Sequence, residues 1–319
     1  MIGLDHVRRA AERIRPFVVR TPLERSAALS DAFGAEVWLK FECFQYTGAF
    51  KIRGALSALL ELDVVAVRAR GVVAASAGNH GLGVARAARQ LGVPATVVVP
   101  ETASAAKTEA LSQAGIELLL RGSDYDAAER AGRELAQERG LPFISAYNDP
   151  MVVAGGGTVA LEILEDLPET RAMVVPVGGG GLIGGMGVAG HGLDPTVLVY
   201  GVQSEASPAL HTAWTTGRLI PVAVEPSLAD GLAGNVEADT ITLELLQRHL
   251  ARMALVSEAD IARAMRFCLE REHVLVEGSA AVGVAAVLDR RIPSPSGPTV
   301  IVLTGRNVSA KIIQEVLRS

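Results

Sequence analysis

From Gly71 onward, short β-branched runs alternate with stretches of helical periodicity. GVVAAS (71–76), ATVVVP, IELLL and PFISA read as strands. Helices are expected between them over His80–Leu91, Ala103–Ala114 and Tyr125–Arg139. Gly92, Gly115 and Gly140 follow directly, as the left-handed residue that stops a helix. The rhythm returns with a helix over Thr158–Leu167, the strand AMVVPV, a helix over Leu182–Ala189 and the strand TVLVYGV. Late helices start at Glu258 and Ser279, and the chain finishes on the strand TVIVLT and a helix from Val308 to Arg318. Upstream, MIGLDHVRRAAERIR has the pattern of an amphipathic helix, and EVWLKFE alternates as a strand with Lys40 on the face opposite Leu39. Such alternation predicts an α/β protein whose parallel sheets are covered on both faces. A length of 319 residues predicts about two domains.

Composition narrows the function classes. With 49% hydrophobic and 20% charged residues the chain is globular rather than disordered. It lacks the roughly 18 uninterrupted apolar residues of a membrane helix, and its charged N-terminus lacks a signal-peptide core. Cys43 and Cys268 are far apart with no CxxC pair, so neither a disulfide framework nor a zinc site is expected, and a reducing cytoplasm is. A net charge of −5 without a basic run argues against nucleic acid as partner.

Lysine usage points to one residue. The chain has 26 Arg but four Lys: Lys40, Lys51, Lys107 and Lys311. Lys107 and Lys311 sit among polar residues on expected helices. Lys51 follows a small-residue turn and an aromatic in YTGAFKIRGA, with no carboxylate from Gln45 to Leu60. A lysine in such a setting has its pKa pushed down, as imine chemistry requires; a helix lysine snorkelling to solvent is the alternative.

Chemistry in open parallel sheets lies at the carboxyl ends of the strands. Three such ends carry unusual residues: SAGNHG (76–81), GGGG (178–181) and TGRN (304–307). Four glycines opening a helix leave consecutive N–H groups free to wrap an anion, and a phosphate is the natural guest. A ligand-free tight turn is one alternative. A dinucleotide site is another, because Gly179, Gly181 and Gly184 satisfy GxGxxG. The next strand, however, ends at Gln203 without the ribose-binding acid, and Glu205 lies two residues beyond. In SAGNHG, Asn79 either caps the helix or turns its amide to a phenolic oxygen, while the loop N–H groups face a carboxylate. Thr304 offers a neutral hydroxyl.

FECFQYTGAFKIRGA, SAGNHG, PVGGGGLIGG and LTGRN, in this order and spacing, resemble the fold type II pyridoxal-phosphate enzymes (the tryptophan synthase β-like fold), and within them the serine/threonine dehydratase and serine racemase branch. The resemblance runs from TPLERSAALS (21–30) to the last helix. It implies two parallel-sheet α/β domains: residues 1–67 and 147–319 forming the large one, and 68–146 a small mobile one inserted in it. It implies pyridoxal 5'-phosphate as cofactor, with Lys51 as Schiff-base lysine and base for the Cα proton. Phe50 lies against the ring, Asn79 bonds the phenolic oxygen, and Gly178, Gly179, Gly180, Gly181 and Leu182 hold the phosphate. Thr304 faces the pyridine nitrogen. Ser76, Ala77, Gly78, Asn79 and His80 bind the substrate carboxylate, and Ala229 to Gly231 line the opposite side. A homodimer or other homo-oligomer is expected.

A neutral Thr304 does not keep the pyridine nitrogen protonated, which favours expulsion of a β-leaving group. The implied reaction is elimination from a β-hydroxy-α-amino acid such as threonine or serine, giving a 2-oxo acid and ammonia. Racemases of this branch carry Ser as proton donor where this chain has Ala77, so racemisation is expected to be minor. Cysteine synthases carry a different Asn loop without the His. Racemases also bind magnesium or calcium through a Glu and an Asp at the positions of Gln203 and Ala209, so no metal is expected. AGGGT (154–158) and Arg306 depart from the usual AGQGT and SGGN; Arg306 either favours a second carboxylate, as in 3-hydroxyaspartate, or points outward. Phenylserine and a hydroxyectoine breakdown product are further candidate substrates, and no regulatory domain is expected after residue 319. A non-catalytic nucleotide-binding protein is the alternative from outside the enzymes.

Overall fold

The computed structural model describes residues 2–103 and 105–318. Its strands are β1 (Leu23–Ser26), β2 (Val37–Lys40), β3 (Val72–Ala75), β4 (Ala95–Val99), β5 (Glu117–Leu120), β6 (Ala172–Pro176), β7 (Leu198–Ser204), β8 (Arg252–Val256) and β9 (Thr299–Val302). They form two sheets, in the orders β1-β2-β9-β6-β7-β8 and β3-β4-β5. Every pairing is parallel except β1 with β2, an antiparallel edge that the parallel pattern did not anticipate. Val, Ile and Ala fill both faces of the central strands; β6 and β9 are buried along their whole length. No helix among the described residues is long and apolar enough to cross a membrane.

The helix Lys51–Glu61 carries the candidate lysine at its first position. One of its faces, with Ile52, Leu56 and Leu59, enters a core shared with Val72, Ala74 and Val84 of the small-sheet region. The other is fixed by buried charge. Arg53 donates to both oxygens of Glu42 and both of Glu162, and Lys40 donates to Glu162 at 2.7 Å and to the Thr21 carbonyl. Two cations and two anions therefore cancel at the foot of this helix, the condition under which buried charge is tolerated. Helix Pro150–Asp166 lies against the helix Gly181–Leu193 through glycines; a Cβ at Gly157 would sit 2.7 Å from the Gly185 carbonyl. At Gly156, where the family pattern has Gln, a Cβ would lie 3.2 Å from Leu182 Cα, beside the glycine loop.

Several boundaries differ from the sequence reading. The helix expected over Ala103–Ala114 spans Ala105–Ser112, and Ser104 within that expectation lies outside the described residues. The helix expected from Thr158 begins at Pro150, where Asp149 caps it with a proline in the first turn. Helix Val64–Arg70 runs across residue 68. PFISA is not a strand. Val73 makes an isolated bridge with Phe143, and beyond it the chain turns into the site.

Candidate active site

β9 and β6 are adjacent and parallel, with Ile301 beside Val174, so the TGRN and GGGG loops leave neighbouring strand ends. TGRN then runs antiparallel to the turn before Lys51. Phe50 N–H donates to the Thr304 carbonyl at 3.0 Å, Ala49 bridges Gly305, and Arg306 N–H donates to the Gly48 carbonyl. Thr304 is buried. Gly178 faces the other expected wall, since a Cβ there would lie 3.2 Å from Leu232 Cα and 3.5 Å from the Gly231 carbonyl. Gly231 itself is held by its N–H to Ser279 Oγ at 3.0 Å.

The irregular segment 144–147 joins the remaining parts. Lys51 Nζ donates to the Ala146 carbonyl at 2.8 Å, and His80 Nε2–H donates to that of Ile144 at 2.9 Å. The Tyr147 ring fills the space that a side chain at Gly179 would need, and the Tyr147 backbone and Cβ lie where one at Gly181 would go. Burial drives the Lys51 pKa down to about 8, opposed by Glu277. Phe50 lies beside it, with its ring centre 5.3 Å from Nζ. His80 is held neutral, its pKa lowered to about 3 by burial and by Lys51. Its Nε2 is thus engaged by the Ile144 carbonyl, and a neutral ring brings no positive charge to a carboxylate held by the loop. Gly180, the N-cap of the helix Gly181–Leu193, has φ +86° and no side-chain capping bond, so the first-turn donors of this helix are left for a ligand.

Asn79 does not cap its helix; the N-cap is Gly78, which has no side-chain capping bond. Its amide instead donates to Glu277 at 2.7 Å and accepts from Asn307 Nδ2 at 2.7 Å. Glu277 is the residue that the sequence reading missed. It is buried, and its carboxyl is pushed up to about 7 by desolvation and Asp230, against the bonds from Asn79 and Asn307 and the charge of Lys107. Lys51 therefore has an acidic neighbour, distant in sequence. Ser76 Oγ accepts from Gly78 N–H, and Ala77 packs against the apolar cluster of Val97, Val99 and Leu111. Arg306 is exposed and lies over the Phe44 ring, lining an outer pocket of about 370 Å³ with Arg86 and Arg89. It points outward.

A family profile described as pyridoxal-phosphate dependent enzyme matches residues 14–305. The chain belongs to this family. It is 42% identical over 317 residues to an L-threonine ammonia-lyase of Thermotoga maritima, covering 99% of this chain and 78% of that one. A catabolic L-threonine dehydratase of Staphylococcus aureus is 37% identical, over 92% of this chain and 84% of its own. Among solved structures, a maize serine racemase superposes with a TM-score of 0.93 at 32% identity, covering 99% and 97% of the two chains. A threonine deaminase of T.th. gives 0.87 at 36% identity, covering 96% and 99%. The fold is that of the fold type II enzymes and the cofactor is pyridoxal phosphate. The donor set fits it: a desolvated amine with a pKa near 8 at the start of one helix, and at the start of another an uncapped N-terminus opened by glycines for a phosphate.

Proposed function

We propose that this protein is an ammonia-lyase acting on a β-hydroxy-α-amino acid, with threonine or serine as substrate, and that its products are a 2-oxo acid and ammonia. The observation that carries the reading is the desolvated Lys51 amine, bonded only to a carbonyl and set among three ligand-ready loops. The relatives named as threonine ammonia-lyase and dehydratase support the substrate class.

Bound pyridoxal phosphate supplies the electron sink for breaking a bond at Cα. Lys51 would hold the cofactor through its amine and would serve as the base for the Cα proton. Phe50 would back the cofactor ring, the N–H groups of Gly178–Leu182 would hold the phosphate, and Asn79 would donate to the phenolic oxygen. Thr304 would offer a neutral hydroxyl to the pyridine nitrogen. Backbone donors of Ser76–His80 orient the substrate carboxylate, and Ala229–Gly231 close the opposite side. The lobe of residues 68–146 closes against residues 1–67 and 147–319 and excludes water. Lys107 to Asp230 at 2.6 Å and Arg133 to Glu237 at 2.6 Å are contacts between these parts that closure would use.

Racemisation is the second reading, favoured by the similarity to maize serine racemase. Ala77 opposes it, because a methyl has no proton to give on the face away from Lys51. Free, buried Cys43 and Cys268 suit a reducing cytoplasm, and we expect a homo-oligomer. The test is a 2-oxo-acid assay over a panel of β-hydroxyamino acids, with serine stereochemistry followed in parallel. No 2-oxo acid from any of them would overturn the proposal.

A further inference from the structure

Asn79 opens the helix that follows β3, whereas Glu277 and Asn307 belong to the large-sheet region, yet hydrogen bonds join the three residues in a ring. Glu277 Oε1 accepts from Asn79 Nδ2 at 2.7 Å, and Oε2 accepts from the Asn307 N–H at 3.1 Å. Asn307 Nδ2 donates to Asn79 Oδ1 at 2.7 Å and spends its second hydrogen on the Thr47 carbonyl at 2.8 Å. Each member fixes the next. If the Asn79 amide were flipped, its nitrogen would oppose Asn307 Nδ2, donor against donor, and its oxygen would oppose a carboxylate oxygen. The Glu277 carboxylate cannot retreat to relieve this. Its backbone N–H is bonded to the Gly305 carbonyl at 3.1 Å, and the carboxylate lies so close over Gly305 that a Cβ there would collide with it. Asn79 is therefore held in one orientation, with its oxygen engaged and one Nδ2 hydrogen left over.

We infer that Glu277 is the positioning residue of Asn79: together with Asn307 it locks the amide as a donor toward the phenolic oxygen of bound pyridoxal phosphate. This rests on the cofactor roles proposed above for Lys51 and Asn79. Glu277 need not touch the cofactor, so its effect passes through Asn79.

The experiment is a double-mutant cycle on cofactor affinity, read by titrating apoprotein with pyridoxal phosphate and following the visible band. Glu277→Gln keeps the shape but opposes an amide N–H to either Asn79 Nδ2 or the Asn307 N–H. It is expected to weaken cofactor binding about three- to tenfold, the worth of roughly one hydrogen bond, and to move the visible band. Asn79→Ala is expected to weaken binding at least as much, and the double variant Glu277→Gln/Asn79→Ala no further. Unchanged affinity and spectrum in Glu277→Gln, or additive losses in the double variant, would overturn the inference. If Glu277→Gln does not fold, Asn307→Ala removes the other anchor of the amide and carries the same cycle, with additivity again fatal. A wild type that forms no coloured complex, or whose borohydride label falls away from Lys51, overturns the cofactor roles and this inference with them.

Discussion

The Lys51 amine donates to the Ala146 carbonyl, a neutral acceptor, at 2.8 Å. Its position is thus fixed without an ion pair that would hold it protonated, and burial lowers its pKa to about 8 from an ordinary 10.5. Between those two values the folded apoprotein binds fewer protons at this site than the unfolded chain does. Stability from this group therefore rises with pH through the window from about 8 to 10.5, and its cost is constant below it. Melting temperatures of apoprotein across this range should show a slope that Lys51→Met removes. In the holoprotein, borohydride should fix the cofactor on the peptide containing Lys51, and Lys51→Ala should lose both colour and turnover. A label on Lys40, Lys107 or Lys311 would sink the assignment.

The alternation of strands and helices was legible because periodicity is local: each buried strand needs its own apolar run and each helix its own stop. The glycine loop and TGRN were legible for the same reason. Glu277 was not, because it stands alone in HVLVEGSAA and meets Asn79 only after the two sheets are assembled. A lone acid in an otherwise apolar run was the one signal available. PFISA (142–146) was read as a strand since it has strand composition, whereas it pairs with β3 at the single bridge Val73–Phe143 and then gives its Ile144 and Ala146 carbonyls to His80 and Lys51. The buried Arg53 network was equally hidden, as its four charged members come from three separate stretches of chain.

Gly180 tests the phosphate loop. At φ +86° a side chain is strained, and its Cβ would lie 2.9 Å from Leu210 and Thr242. Gly180→Ala should therefore cost about 1–2 kcal/mol of apoprotein stability from the backbone alone, measured by denaturant unfolding. Gly180→Asp adds a carboxylate beside the phosphate, worth on the order of several kcal/mol at an effective dielectric of ~20. Cofactor affinity should fall far more in the Asp variant than in the Ala variant. Equal affinities in the two would mean that the phosphate lies elsewhere.

Ala77 tests reaction choice. Its methyl packs against an apolar cluster with Leu82, so a serine there gains a hydroxyl with little change of volume. Ala77→Ser should raise the ratio of racemisation to elimination, scored as D-serine against pyruvate from L-serine. A wild type that equilibrates the serine enantiomers faster than it forms pyruvate would reverse the proposed function.

Gln203 bears on metal dependence. At the two positions where racemases of this branch carry metal-binding Glu and Asp, this chain has Gln203 and Ala209. Gln203 is buried, and its Oε1 accepts from the His211 N–H at 2.9 Å, so it ties the first turn of the helix Ala209–Thr216 to the end of β7. A protein hydrogen bond thus makes the tie, and the amide brings no anionic charge to offset dehydration of a hard cation, which favours several oxygen ligands. The nearby carboxylate, Glu205, is exposed. Activity should therefore survive exhaustive EDTA treatment and gain nothing from added Mg²⁺ or Ca²⁺. The converse is equally testable: Gln203→Glu with Ala209→Asp should create a site, seen as a rise in melting temperature with Ca²⁺ that the wild type lacks. Loss of most activity on chelation, restored by either ion, would refute this reading and make Glu205 the first residue to replace.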